Sequence, residues 1–193
     1  MEIVFADAYI RANGGKEIAV TYKAQLNDSA KKDELTNTNN AVLTYTNDPK
    51  DESTGTTTDI TYHHTFDFKI KKTDEKGNVL GNAEFELYTE KEENGNTVKT
   101  VIDKQTSTKD GYLTFDGLNA GTYKLKETKA PLGYQIDNTV REVVIAATYS
   151  ETDGTMESYT ITVKETGLAD QVLESWTKDT TDTDTELDLV IMN

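Results

Sequence analysis

The side chains best placed to do chemistry are Lys72, Glu127 and Asn193, because each continues an apolar series of period two. Phe66, Phe68 and Ile70 alternate with Asp67, Lys69 and Lys71, and the next step on the inward face is Lys72. Tyr123 and Leu125 lead in the same way to Glu127, and Leu187, Leu189 and Ile191 lead to Asn193. Strand ends commonly emerge into water, and for any one of these positions a solvated end is the ordinary reading. An amine, a carboxyl and a carboxamide delivered together to apolar faces support a second one. Burial lowers the pKa of an amine and raises that of a carboxylic acid, so both can stand neutral side by side. A free Lys72 amine can attack the Asn193 carboxamide carbon while Glu127 polarises the carboxamide and carries protons, with ammonia leaving. The product is an amide crosslink. By analogy with disulfides, closing a loop of this size restricts the unfolded chain by about 4–5 kcal/mol.

Positioning these groups requires strands, and the chain reads as all-β. Short alternating runs separated by Gly, Asn and Asp recur along it, rich in Thr, Tyr and Val. Ile18 to Leu26 and Asn39 to Tyr45 alternate as half-buried strands, with a surface loop over 46–55 and a strand-like connector through Ile60 and Tyr62. From Thr65 the strands are predicted around Phe66–Ile70, Ala83–Leu87, Val98–Val101, Tyr112–Phe115, Tyr123–Glu127, Val140–Ala146, Tyr159–Val163 and Leu187–Ile191, with a turn at Asp74–Asn78. Leu168, Val172, Leu173 and Trp176 fall at helical spacing after Gly167, which predicts a short helical insertion near 168–176.

A length of 193 residues accommodates one full domain and part of another. The formal charge of −15 argues against nucleic acid or an anionic membrane as partner. No apolar stretch is long enough to span a membrane, and the N-terminus lacks the regions of a signal peptide, so secretion signals are expected outside this chain. The absence of cysteine excludes disulfides and thiolate chemistry. Neither a phosphate-binding glycine loop nor a nucleophile elbow is present, and a turnover enzyme has little support. Adjacent strand residues such as His63 and His64 point to opposite faces and are poorly placed to share a metal. Asp182–Glu186 has the start of a calcium loop without its glycine or distal glutamate. No metal and no cofactor are therefore expected.

Three stretches carry a family resemblance. Phe68-Lys69-Ile70-Lys71-Lys72-Thr73-Asp74-Glu75-Lys76-Gly77, Leu80-Gly81-Asn82-Ala83-Glu84-Phe85-Glu86-Leu87 and Gly121 to Tyr134, with its Glu127-Thr128-Lys129-Ala130-Pro131-Leu132-Gly133-Tyr134, together resemble the B-type (Cna-B-like) domain of collagen adhesins. Such domains also form the C-terminal module of major pilins in Gram-positive bacteria. The resemblance implies immunoglobulin-like β-sandwich domains: residues 65–193 as an isopeptide-forming sandwich, and 1–64 as the end of a preceding pilin domain plus a connector. It implies that Lys72 bonds Asn193 with Glu127 as the catalytic group, and that Asn39 is a crosslink asparagine of the preceding domain. An exposed loop asparagine is an equal reading of Asn39. The implied protein is a structural subunit of a pilus or stalk on the cell wall, polymerised with other pilins by a sortase through segments outside this chain. An adhesin module binding a host matrix protein is the alternative. In either case the bond forms once per molecule.

Overall fold

The computed structural model describes residues 2–24, 37–48, 53–178 and 185–193. Strand character follows the alternation most closely from Phe66 onward. β3 (Phe66–Thr73) buries Phe66, Phe68, Ile70 and Lys72 and leaves the intervening residues partly exposed. β4 (Glu84–Glu93), β7 (Gly121–Lys129), β8 (Val140–Tyr149) and β9 (Met156–Lys164) supply the opposing apolar face through Phe85, Leu87, Leu125, Val143, Ile145 and Ile161. The order β11-β10-β9-β8-β7-β4-β5 makes a seven-stranded sheet, completed by β5 (Asn96–Thr106), β10 (Gln171–Thr177) and β11 (Thr185–Glu186). Every pairing within it is antiparallel. The smaller sheet has the order β12-β3-β6, with β6 (Tyr112–Leu118) antiparallel to β3 and β12 (Leu189–Met192) parallel to it. One continuous apolar cluster lies between the two sheets, so the sandwich expected of this half is present.

Three expectations are corrected. Residues 168–176 form no helix: β10 occupies Gln171–Thr177, paired with β9. A bulge between Val172 and Glu174 explains the misleading spacing. The extra residue puts Leu173 and Glu174 inside together and breaks the period of two, so apolar residues fall three apart as they would on a helix. Trp176 packs partly buried against Tyr159, while Leu168 and Val172 stay exposed. Leu187 does not belong to the inward series of the last strand. It is exposed, and its amide donates to the Leu173 carbonyl of β10 before β12 begins.

The third correction concerns the first 64 residues. Residues 18–24 have no regular structure, and Ile18, Val20 and Tyr22 are exposed; residues 25–36, including Leu26, lie outside the described residues. Alternation alone does not make a strand without a neighbour to complete its hydrogen bonds. β1 (Thr38–Asp48) and β2 (Ser53–Tyr62) do pair, in a two-stranded antiparallel sheet that narrows the expected loop over 46–55. Their apolar side chains are largely not half-buried: Val42, Leu43, Tyr45 and Ile60 are exposed, because a two-stranded ribbon has no further layer to cover a face. A six-residue helix, Asp7–Ala12, precedes them with no buried residue.

Candidate functional site

β3 brings Lys72 to the core with its backbone fixed on both sides. Its N–H donates to the Gly111 carbonyl at 2.8 Å, and its own carbonyl accepts from the Leu80 amide at 2.9 Å. Just beyond, the Asp74 carboxylate accepts hydrogen bonds from the Lys76 and Asn78 amides and from the Asn78 side chain. The chain turns there through Gly77 at φ 84°. Glu127 arrives from β7, two residues after Leu125 on the same buried face. Both side chains are fully shielded from solvent, and the Lys72 Nζ lies 3.6 Å from Glu127 Oε1, an ion-pair distance just beyond hydrogen-bond length.

Parallel pairing of β12 with β3 sets Ile191 opposite Lys72 and Met192 opposite Thr73. The Asn193 amide continues this ladder by donating to the Thr73 carbonyl at 3.0 Å. Asn193 itself, just past the end of β12, is partly buried, with its Oδ1 shielded from solvent. Its Nδ2 donates to the Gln135 carbonyl. β3 and β7 thus bring Lys72 and Glu127 together in the core, and Asn193 follows β12 at the same end of β3.

Among the described residues, the buried side-chain polar atoms without a hydrogen-bond partner are Lys72 Nζ, Glu127 Oε1, Asn193 Oδ1 and the two ring nitrogens of His64. Leaving such an atom unsatisfied costs about 1–3 kcal/mol, and two of them, Lys72 Nζ and Glu127 Oε1, face each other at 3.6 Å. The second carboxyl oxygen, Glu127 Oε2, accepts the Asp137 backbone N–H at 2.6 Å. Burial drives the Lys72 pKa below the ordinary lysine value, against the opposing charges of Glu127 and Asp137 and with a smaller downward push from Arg141. The amine is also 5.9 Å from the centre of the Phe85 ring. An amine whose charged form is disfavoured by burial, beside a carboxyl that can carry protons, is suited to act as a nucleophile.

The alternation rule did not reach the loop that covers this end of the core. Residues 130–139 supply the Gln135 carbonyl and the Asp137 amide, and backbone groups carry no side-chain signature. Asp137 is itself held by the Thr139 amide and by Arg141, and Arg141 binds Glu165. The other residues singled out lie apart from this constellation. Asn39 sits half-buried in β1 and accepts a hydrogen bond from the Tyr22 hydroxyl. His64 is buried against Tyr149, while Asp182 to Asp184 fall outside the described residues. No group of three or more His, Cys, Asp or Glu arranged to hold a metal occurs among the described residues.

Residues 66–160 match the SpaA prealbumin-like fold domain. The SpaA-type match takes in Lys72 and Glu127 and ends before Asn193. The chain is also 30% identical to the trypsin-resistant surface T6 protein of Streptococcus pyogenes serotype M6, over 64% of this chain and 25% of the relative. It therefore spans about a quarter of that relative's length. Among solved structures it resembles the T6 backbone pilin of serotype M6 Streptococcus pyogenes, at 21% identity and TM-score 0.49, over 87% of this chain and 44% of that one. It also resembles the group B streptococcus pilus 2b backbone protein, at 22% identity and TM-score 0.44, over 84% and 51% of the two chains. No helix among the described residues is long and apolar enough to cross a membrane.

Proposed function

We propose that this chain is part of a pilus shaft subunit on a Gram-positive cell surface, and that its SpaA-type domain locks itself with a Lys72–Asn193 isopeptide bond. The observation that carries this reading is the fully buried Lys72–Glu127 pair at 3.6 Å, neither facing atom hydrogen-bonded, at the end of β3 where the Asn193 amide bonds the Thr73 carbonyl. The similarity to a streptococcal surface protein supports the setting. Other pilin subunits are the partners, joined through segments outside residues 1–193. Residues 1–64 belong to a preceding unit of the shaft.

The neutral Lys72 amine attacks the Asn193 carboxamide carbon, and a C–N bond forms as the carbonyl π pair moves onto Oδ1. Glu127 polarises the carboxamide and carries a proton from the attacking nitrogen to Nδ2. The Cγ–Nδ2 bond breaks and ammonia leaves, so that one amine and one carboxamide become one secondary amide and one ammonia. The driving asymmetry is in the reactants: burial penalises the charged form of the amine far more than it penalises an uncharged amide. No cofactor enters, and each molecule reacts once.

The intact mass tests this directly. The expected mass is that of the sequence less one ammonia, and Glu127→Ala should restore the full value. A parent chain at full sequence mass refutes the bond while leaving the fold untouched.

A further inference from the structure

The charged groups behind Glu127 form a chain of their own. Arg141 is 9% exposed. Its guanidinium donates to Asp137 Oδ2 at 2.7 Å on one side and pairs with Glu165 Oε2 at 2.8 Å on the other. Asp137 Oδ1 also accepts the Thr139 amide at 2.9 Å, so both carboxylate oxygens are held. With its side chain fixed in this way, Asp137 presents its own backbone N–H to Glu127 Oε2 at 2.6 Å. An amide N–H aimed at Oε2 favours a lone pair there and the carboxyl proton on Oε1, the oxygen that faces Lys72.

We infer that Arg141 is a positioning residue for the crosslinking reaction: anchored on Glu165, it seats Asp137 so that the Asp137 amide clamps Glu127, and it offsets the Asp137 charge beside Lys72. This rests on the isopeptide reading of Lys72, Glu127 and Asn193 and extends it to groups that touch none of the reacting atoms. Geometry gives the clamp, and electrostatics gives it a distinct signature. The groups facing the Lys72 amine are Glu127 from β7, the Phe85 ring from β4, and Asp137 and Arg141 from the covering loop and β8, while β12 sets the apolar Ile191 opposite Lys72. Of these, the Asp137 carboxylate favours the charged amine and Arg141 disfavours it. Only the uncharged amine is a nucleophile. Removing Arg141 therefore holds the amine protonated to higher pH, and removing the Asp137 charge releases it at lower pH.

The test uses the full chain, recovered uncrosslinked in urea, refolded by dilution across a series of pH values, with loss of ammonia followed by mass. Arg141→Leu should crosslink several-fold more slowly than the parent at neutral pH, with its rate profile displaced to higher pH. Asp137→Asn is close to isosteric and should move the profile the other way; combining it with Arg141→Leu should bring the profile back toward the parent. Should Arg141→Leu fail to refold, the direction of the Asp137→Asn displacement decides by itself. A parent that crosslinks with profiles that coincide, or that fall equally at every pH, overturns the role of Arg141 and leaves the bond standing. A parent that never loses ammonia overturns both.

Discussion

Lys72 is a lysine in a place where lysines are rarely found, fully buried between two sheets, and its titration should be visible whenever the crosslink is prevented. In the unfolded chain the amine is solvated and titrates near 10.5, while in the folded chain burial lowers its pKa. Between those two values the unfolded chain holds more protons, so stability rises with pH across that window. An Asn193→Ala chain, unable to crosslink, should melt below the parent at neutral pH, with the gap narrowing as the pH is raised toward 10.5. In the parent that nitrogen is an amide and does not titrate. A gap that stays constant or widens, read by thermal melts, would show that the buried amine is not the source. Lys72, Glu127 and Asn193 were legible in the sequence because each is a polar residue at an inward step of an apolar series. Arg141 follows the same rule, stepping back from Ile145 and Val143 along the buried face of β8, and could have been found in the same way. The Asp137 amide and the Gln135 carbonyl had no such signal.

Strands set the distances between these residues, and the end of β3 is the most constrained segment. Gly111 has φ +80°, and a Cβ there would meet the Lys72 carbonyl oxygen at 2.7 Å. Gly111→Ala should therefore displace the residue it supports. The expected outcome is a loss of about 1–3 kcal/mol in stability by denaturant unfolding, with a larger uncrosslinked fraction by mass. β10 offers a separate check on the corrected element. Leu173 is buried and Leu168 is 65% exposed, so Leu173→Ala should cost about 2–5 kcal/mol, while Leu168→Ala should stay within about 0.5 kcal/mol. A helix docked through both would make both costly. The bulge after Val172 hid this strand, since periodicity cannot distinguish one extra strand residue from a helical turn. The parallel pairing of β12 with β3 was also illegible, because it joins residues far apart in the chain that share no local pattern.

Across the whole molecule, the proposed bond ties the first strand of the sandwich to its last. β3 and β12 are parallel neighbours, so tension entering at Phe66 and leaving after Asn193 shears the ladder between them. With the bond closed, force passes from Lys72 to Asn193 and bypasses the rest of the domain. In single-molecule stretching, the parent should release no length from residues 73–192, whereas the Asn193→Ala chain should unfold and release it. Closure of that loop adds about 4–5 kcal/mol if the disulfide chain-entropy relation carries over. The apolar alternation made the sandwich from Phe66 onward readable. It failed at residues 18–24, where no paired neighbour accompanies the pattern. The most direct measurement of the bond is a tryptic digest of the parent chain read by fragmentation mass spectrometry. The expected product is one branched peptide, in which the Lys72–Lys76 segment is joined through its first side chain to the segment ending in Asn193, less one ammonia. Cleavage after Lys72, giving a free Thr73–Lys76 peptide beside an unshifted segment ending in Asn193, would contradict it.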